Sequence, residues 1–289
     1  MNSFRLLILL SLVAGFTLLF PTKILAHPHI LDVAANTEIS QDDLLDDLRR
    51  AQVLFLGEFH DHVGHHSAQL SIIDALDDDE RPLAIGLEMF RKESQAALDR
   101  WTGKDMPLLE FLAVYNDNWS MWEAYREIFI HARNEGVKMI GLNIPRSITR
   151  KVARNGFQSL PEEDRKALGN VECQVNPFYS NYIRRAMGGY GGHGDQYLYF
   201  CEAQLLWDTM MARNLVAFLR ENPDYRVVVL AGSGHAWKFG IPRQMLEEAK
   251  ISYRVLLPEY FSRVDRSNVN VEITDYLWLD EGCLLYTSP

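Results

Sequence analysis

Residues 53–60 read Val-Leu-Phe-Leu-Gly-Glu-Phe-His, an apolar run that ends abruptly in polar side chains. The same pattern, an apolar run followed by polar residues, recurs at 83–89, 137–146 and 227–235. Short and nearly continuous apolar runs are typical of parallel strands that are buried on both faces of a sheet. Because ligands of open parallel sheets bind outside the carboxyl ends of the strands, we expect these four strand ends to form a site.

Helical patterns separate the apolar runs, and strands that alternate with helices indicate a parallel sheet covered on both faces. We therefore predict a doubly wound α/β fold with a mainly parallel sheet. A fifth strand is expected at 253–257 and a sixth within 271–278. Residues 147–218 show no strand pattern, which predicts a helical insertion of about 70 residues between strands three and four.

A single domain is expected over residues 40–282, after an unpatterned lead-in at 27–38. Ser40 and Asp43 have the spacing of a capping box, which predicts a helix over 41–51. The overall composition is that of an ordinary globular protein, with 47% hydrophobic and 24% charged residues. The net charge of −10 argues against a nucleic-acid partner, because such a partner requires a basic surface.

The first 26 residues are expected to be a secretion signal, because Arg5 precedes an apolar run at 6–20 and a small residue stands at Ala26. This run is shorter than the ~20 residues of a membrane-spanning helix. We therefore expect export to the periplasm, with membrane contact only if the signal stays uncleaved. No cysteine precedes Cys173, so an N-terminal lipoprotein is not expected.

Residues 283–288 read Cys-Leu-Leu-Tyr-Thr-Ser, which is what a common sequencing-library transposon end encodes when it is translated. Residues 283–289 are therefore expected to be an assembly artefact. Two cysteines then remain, Cys173 and Cys201. In an oxidising compartment they could form a disulfide worth ~3–4 kcal/mol in the chain-entropy model, or they could be two buried thiols.

Five ionisable side chains stand at the four strand ends: Glu58, His60, Glu88, Arg146 and His235. The carboxylates and imidazoles (Glu58, His60, Glu88, His235) suit a divalent metal, and they equally suit metal-free acid–base chemistry. Arg146 would hold an anion or pair with one of the glutamates. The alternative is a buried hydrogen-bond network that ties the sheet edge together.

The motifs at 57–61 (GEFHD), 87–89 (LEM), 143–146 (NIPR), 208–213 (DTMMAR) and 232–235 (GSGH) together resemble the ChaN-like haem-binding uptake family. That family is similar to a wider group that contains the Tiki proteases, TraB-type proteins and erythromycin esterases. The resemblance implies haem binding with a tyrosine as iron ligand, and possible dimerisation around the cofactor. The wider group implies that the five strand-end side chains mark the active crevice.

The helical insertion is rich in tyrosine, and tyrosinate is a known ligand of haem iron. The candidate haem ligands are Tyr179, Tyr182, Tyr190, Tyr197 and Tyr199, with Arg184 and Arg185 as candidate propionate contacts. Each tyrosine could instead belong to the aromatic core of the insertion. The predicted function is a periplasmic haem-binding protein of haem or iron uptake. The alternative is a hydrolase, with or without a metal, that uses the strand-end glutamates and histidines on a peptide or ester.

Overall fold

One sheet of eight strands runs through the computed structural model, which describes residues 29–77, 81–169, 171–173, 175, 177–187, 194–260 and 264–279. The strands are β1 (His29–Asp32), β2 (Thr37–Ile39), β3 (Val53–Glu58), β4 (Leu83–Arg91), β5 (Lys138–Asn143), β6 (Arg226–Gly232), β7 (Tyr253–Pro258) and β8 (Tyr276–Leu279). Their order across the sheet is β2-β1-β8-β7-β3-β6-β4-β5. The predicted secretion signal and the suspected artefact at the other end lie outside the described residues.

The strands from β8 to β5 are parallel to one another, whereas β1 pairs antiparallel with both β2 and β8. The predicted mainly parallel α/β fold is therefore confirmed. The structure differs at residues 29–39, where the sequence showed no pattern, because β1 and β2 extend the sheet upstream of residue 40. These strands contain only four and three residues, and β2 is the edge strand, so they carry little of the apolar signal of a central strand.

Helices from the first half of the chain cover one face of the sheet. They are α1 (Gln41–Leu48), α2 (Val63–Asp77), α3 (Gln95–Thr102), α4 (Leu108–Asn118) and α5 (Trp122–Glu135). Their apolar sides pack with Leu54, Leu56, Ile85 and Leu87 of the central strands. The amide of Asp43 donates to the Ser40 hydroxyl oxygen at 3.1 Å, which confirms the cap of α1. That helix ends at Leu48 rather than at the predicted Ala51.

Helices from the second half of the chain cover the opposite face. They are α6 (Arg146–Asn155), α7 (Glu162–Leu168), α8 (Pro177–Ala186), α9 (Asp195–Glu221), α10 (Ser233–Ala236) and α11 (Ile241–Glu248). Val53, Phe55 and Val229 point to this side and pack with α9, as expected for strand residues that alternate between faces. Helices α6 to α9 lie between β5 and β6, so the predicted helical insertion is confirmed.

A disulfide joins Cys173 to Cys201 with 5.6 Å between the two Cα atoms. The sequence left open whether these cysteines form a disulfide or are two buried thiols, and the structure contains the disulfide. The bridge ties the segment that precedes α8 to the first turns of α9. Within the described residues no helix is both long enough and apolar enough to cross a membrane.

The strand order positions the site. Strand β6 lies between β3 and β4, although β3 and β4 come first in the chain. The carboxyl ends of these three strands are therefore neighbours, and Glu58 at the end of β3 pairs in register with Gly232 at the end of β6. This junction is where ligands bind in open α/β sheets.

Candidate functional site

Glu58 is buried in the strand-end crevice, with 1% of its surface exposed. Its Oε1 lies 2.8 Å from Nδ1 of His60 and also accepts the hydroxyl of Tyr125, while its Oε2 accepts Nε2 of Gln69 at 2.8 Å. Burial alone would raise the pKa of Glu58, but the hydrogen bond and the charge of His60 outweigh burial and lower it. Glu58 is therefore a carboxylate that three donors hold in one orientation.

His60 lies beside Glu58 in the crevice with 34% of its side chain exposed, and its ring meets Trp119 edge-on at 4.9 Å. Burial opposes its protonation, but the hydrogen bond to Glu58 and the charges of Glu88 and Glu58 prevail and raise the pKa of His60. A Cβ atom on Gly232 would lie 3.0 Å from the Nε2 of His60. The glycine at the end of β6 therefore leaves space for the imidazole.

His235 forms a second imidazole–carboxylate pair, with Asp208 of α9. Its Nδ1 lies 2.6 Å from Oδ1 of Asp208, and the Oδ2 of this fully buried carboxylate accepts the Tyr179 hydroxyl at 2.9 Å. Burial disfavours the imidazolium, but the negative charges of Asp208 and Glu88 raise the pKa of His235 to about 9. The ring is therefore protonated at neutral pH, and its Nε2 faces Glu88.

Glu88 lies between the two pairs. Its Oε2 accepts the backbone N–H of Gly232 at 2.7 Å, and its Oε1 is 3.9 Å from Nε2 of His235. The structure thus brings together four of the five predicted side chains, Glu58, His60, Glu88 and His235. Two oriented imidazoles with carboxylate partners can donate and accept protons, so this arrangement is chemically capable of acid–base work.

Arg146, the fifth predicted side chain, is at the edge of this cluster. Its guanidinium lies over the ring of Trp119, with its carbon 4.9 Å from the ring centre. The side chain is exposed and does not line the crevice cavity. Arg146 therefore lies outside the described cavity lining, but close enough to Glu88 for the two charges to attract each other.

A cavity of about 740 Å³ opens directly above these groups. Glu58, His60, Gly232 and His235 lie at its polar end. Its aromatic lining comes from the β3 turn, the insertion and the segments after β6 and β7, and consists of Phe59, Phe178, Tyr182, Phe200, Trp237 and Tyr260. The predicted crevice is therefore a deep pocket with ionisable groups at one end and aromatic walls.

Of the candidate tyrosines, Tyr182 lines this cavity. Its hydroxyl lies so close to Gly234 that any Cβ atom at that position would overlap it. Tyr179 is buried, and its hydroxyl donates to Asp208, while burial and the charge of Asp208 hold its pKa well above the usual range. That environment disfavours tyrosinate at Tyr179 and makes it a support for the Asp208–His235 pair.

The other tyrosines lie elsewhere. The hydroxyl of Tyr197 pairs with the Ser180 hydroxyl at 2.6 Å, and the ring of Tyr199 packs against Gly156. Tyr190 lies outside the described residues. Among the described residues that line the cavity, Tyr260 is a further tyrosine, and the sequence analysis did not select it.

Arg184, one of the two predicted propionate contacts, does not line the cavity. The guanidinium carbon of Arg184 lies 5.3 Å from the ring centre of Tyr197 instead, and the side chain of Arg185 is outside the described part. Within the described lining there is no lysine or arginine.

Comparison with known proteins identifies the family. Residues 44–245, more than half of the chain, match the family described as "Haem-binding uptake, Tiki superfamily, ChaN". The chain belongs to this family. The family resemblance carried by the strand-end motifs is thereby confirmed.

Solved structures agree with the ChaN-like fold. ChaN of Campylobacter jejuni, solved with cofacially bound haem, superposes with a TM-score of 0.69 at 23% identity, over 86% of this chain and 95% of that chain. A mutant of the erythromycin esterase EreC in its open conformation gives a TM-score of 0.49 at 15% identity, over 75% of this chain and 72% of that chain. The first match shows a shared fold, and the second is too distant to add to it.

Among curated proteins, RETICULATA-RELATED 5, a chloroplastic protein of Arabidopsis thaliana, is 32% identical over 89 residues. That region is 30% of this chain but 12% of the plant protein. The match therefore spans a small part of that relative.

The metal alternative depends on the spacing of the donors. In the described parts of the chain, no three histidine, cysteine, aspartate or glutamate side chains are grouped so that they could hold a metal ion. In the crevice, the oxygens of Glu58 and Glu88 instead face His60, Gln69, Tyr125 and the Gly232 amide.

Two residues of the candidate site, Gln69 and Tyr125, were not selected from the sequence. Gln69 and Tyr125 bind Glu58, and Nε2 of the buried His66 lies 3.6 Å from its Oε2. Neither Gln69 nor Tyr125 follows a strand, so the strand-end pattern missed them. Asp208 had a usable signal, because an aspartate in the buried stripe of a long helix requires a partner.

Proposed function

We propose that the protein binds haem in the crevice cavity and acts as a haem-binding protein of haem or iron uptake in the periplasm. Two findings support haem as the ligand: membership of the ChaN-like family, and a cavity with aromatic walls at the sheet edge. The volume of about 740 Å³ lies within the ~300–1,000 Å³ that is typical of small-molecule pockets.

The residues of the cavity fit a haem group. Its flat apolar macrocycle requires aromatic and aliphatic walls, which Phe59, Phe200 and Trp237 provide. When bound, haem supplies an iron that takes an axial ligand, and phenolate and imidazole are both ligands of haem iron in proteins. Both donor types, Tyr182 and His60, line this cavity.

The position of Tyr182 carries the proposal. The ring of Tyr182 packs on Trp237 with 5.0 Å between ring centres, which holds the tyrosine in the cavity wall. The Tyr182 hydroxyl lies next to Gly234, where there is no side chain. Of the four candidate tyrosines that the structure describes, this one lines the cavity. We assign the iron-binding role to Tyr182.

Titration with haem tests this assignment. The purified protein is expected to give a saturable shift of the Soret band, and Tyr182→Phe should weaken haem binding by at least about tenfold, or ~1.4 kcal/mol. Tyr197→Phe is the matched control, because its hydroxyl pairs with Ser180 and not with the cavity. It should bind haem as the unmodified protein does.

The same titration distinguishes the alternatives. If Tyr260→Phe lost haem binding and Tyr182→Phe bound haem fully, the iron-binding role would belong to Tyr260. If the unmodified protein gave no saturable spectral change, haem binding itself would be rejected.

A second candidate function is metal-free hydrolysis of an ester or peptide. It is favoured by the two imidazole–carboxylate pairs, Glu58–His60 and Asp208–His235, that flank Glu88. A hydrolase screen of the unmodified protein and of Glu88→Gln tests it. Activity that the substitution abolishes would support hydrolysis, and inactivity of both proteins would count against it.

The periplasmic location is tested by cell fractionation. The protein should be found in the periplasmic fraction without residues 1–26, as shown by the mass of the mature chain. Retention of the full chain in the membrane fraction would contradict cleavage.

A further inference from the structure

We propose that the cavity selects tetrapyrroles that carry all their carboxylates on one edge, because the carboxylate-free edge must enter first. This inference rests on the proposed haem binding and adds to it a rule for which macrocycles are accepted. It follows from the distribution of charge between the buried floor and the exposed rim of the cavity.

The cavity has a definite depth, which the exposure of its residues reveals. Glu58 and His235 are 1% and 9% exposed and form the floor. Phe178, Tyr260 and Met121 are 45%, 39% and 46% exposed and form the rim. A flat ligand that fills the cavity therefore has one edge against the floor and the opposite edge at the rim.

The floor is unfavourable for a further anion. Glu58 lines it, and Glu88 lies behind it with Oε1 3.9 Å from Nε2 of His235. Each imidazole here already faces a carboxylate: His60 faces Glu58, and His235 faces both Asp208 and Glu88. A ligand carboxylate placed at this end would lose its water and meet like charges. Burial of a charge without a free counter-charge is strongly unfavourable.

The described part of the cavity wall provides no compensating cation. The described lining between floor and rim is aromatic, aliphatic or uncharged, and it contains no lysine or arginine. The polar rim residues Asp61 and Asn268 are exposed, so carboxylates of a ligand at that level remain in water. The carboxylate-bearing edge of a ligand is therefore tolerated at the rim and excluded from the floor.

This distribution distinguishes among natural macrocycles. Haem carries both of its propionates on one edge and only vinyl and methyl groups on the other. Iron coproporphyrin III carries a propionate on every pyrrole ring, so at least one of them reaches the floor in any orientation. Iron mesoporphyrin keeps the two propionates of haem and replaces the vinyl groups by ethyl groups, so it controls for changes in shape alone.

The experiment is a titration of the purified full-length chain with ferric haem, iron mesoporphyrin and iron coproporphyrin III. Binding is followed by the Soret band and by quenching of tryptophan fluorescence, since Trp237 lines the cavity. Haem and iron mesoporphyrin should bind with similar affinity, and iron coproporphyrin III at least about tenfold more weakly, or ~1.4 kcal/mol. In Glu58→Gln, which removes one of the two carboxylates at the floor, this ratio should fall.

Asp61→Asn is the matched control, because it makes the same chemical change at the rim. It should shift the affinities for haem and iron coproporphyrin III together and leave their ratio unchanged. If circular dichroism shows that Glu58→Gln does not fold, Glu88→Gln serves instead and removes the second carboxylate near the floor. The amide oxygen of the new glutamine can still accept the Gly232 N–H.

The outcomes separate this inference from the proposed function. Equal affinities for haem and iron coproporphyrin III would overturn the selection rule and leave haem binding intact. A ratio unchanged in the folded floor variants would refute the floor charge as its cause. The absence of saturable haem binding would reject the proposed function and the selection rule with it.

Discussion

His235 owes its charge to Asp208, a residue that lies 27 positions earlier on a different element. One Asp208 oxygen faces the Nδ1 of His235, and the other accepts the Tyr179 hydroxyl. All three groups are buried, so the pair is shielded from solvent. This arrangement makes the stability of the protein depend on pH.

The pH dependence has a definite sign. Because the pKa of His235 is raised from 6.5 to about 9, its imidazolium stabilises the folded state fully below about pH 6.5. This contribution is lost as the pH rises through about 9. We predict that it amounts to roughly 3 kcal/mol and that Asp208→Asn removes most of it.

Urea unfolding at pH 6 and pH 9.5 measures this contribution in both proteins. The decrease in the free energy of unfolding between the two pH values should be smaller in Asp208→Asn. Tyr179→Phe keeps both charges, so it should lose about 1 kcal/mol at both pH values and retain the pH dependence. An equal pH dependence in the unmodified protein and Asp208→Asn would contradict the role of Asp208.

Gly234 is a second position where one residue controls the site. A Cβ atom there would overlap the hydroxyl of Tyr182, so Gly234→Ala should displace that ring from the cavity wall. We expect haem affinity to fall about as much as in Tyr182→Phe, measured by Soret titration. Gly64→Ala, at the exposed start of α2, should bind haem normally. Normal binding by Gly234→Ala would show that Tyr182 does not need its present position.

At the scale of the elements, the central strands were predictable because each is a continuous apolar run buried on both faces, as in β3 and β6. That their polar ends meet at one edge of the sheet was predictable because parallel strands end on the same side. Strands β1 and β2 were not, because they contain only four and three residues and are partly exposed. Which tyrosine faces the cavity could not be predicted from the sequence, because the answer depends on how α8 packs on Trp237.

Helix α8 depends on the disulfide for its position. The Cys173–Cys201 bridge closes a loop with a sequence separation of 28, and α8 with Tyr179 and Tyr182 lies within it. Because cross-linking restricts the unfolded chain, the Cys173→Ala/Cys201→Ala protein should lose ~3–4 kcal/mol of unfolding free energy. Its haem dissociation should also be faster.

Urea unfolding with and without a thiol reductant tests this role of the bridge. The reductant should lower the midpoint of the unmodified protein and leave that of the alanine variant unchanged. A midpoint of the unmodified protein that does not respond to the reductant would contradict a stabilising disulfide.

At the scale of the whole molecule, the rim of the cavity is an exposed apolar surface made by Met121, Phe178 and Tyr260. Bound haem would add its own exposed edge to this rim. We predict that haem brings two chains together through it, as the family resemblance implies. Light scattering coupled to size exclusion should then give twice the mass of one chain when haem is present.

Phe178→Ser should weaken this association, because Phe178 is 45% exposed at the rim. Leu109→Ser is the control, since Leu109 is 82% exposed and lies on α4, away from the cavity lining. A single-chain mass with and without haem would contradict the dimer.

The central claim is that the strand-end crevice is a haem site, and one spectrum tests it most directly. The protein is purified from cells supplied with haem, and its absorbance is recorded beside that of Tyr182→Phe prepared in the same way. We predict a Soret band in the unmodified protein that is much reduced in Tyr182→Phe. A colourless unmodified protein that also fails to take up added haem would contradict the account.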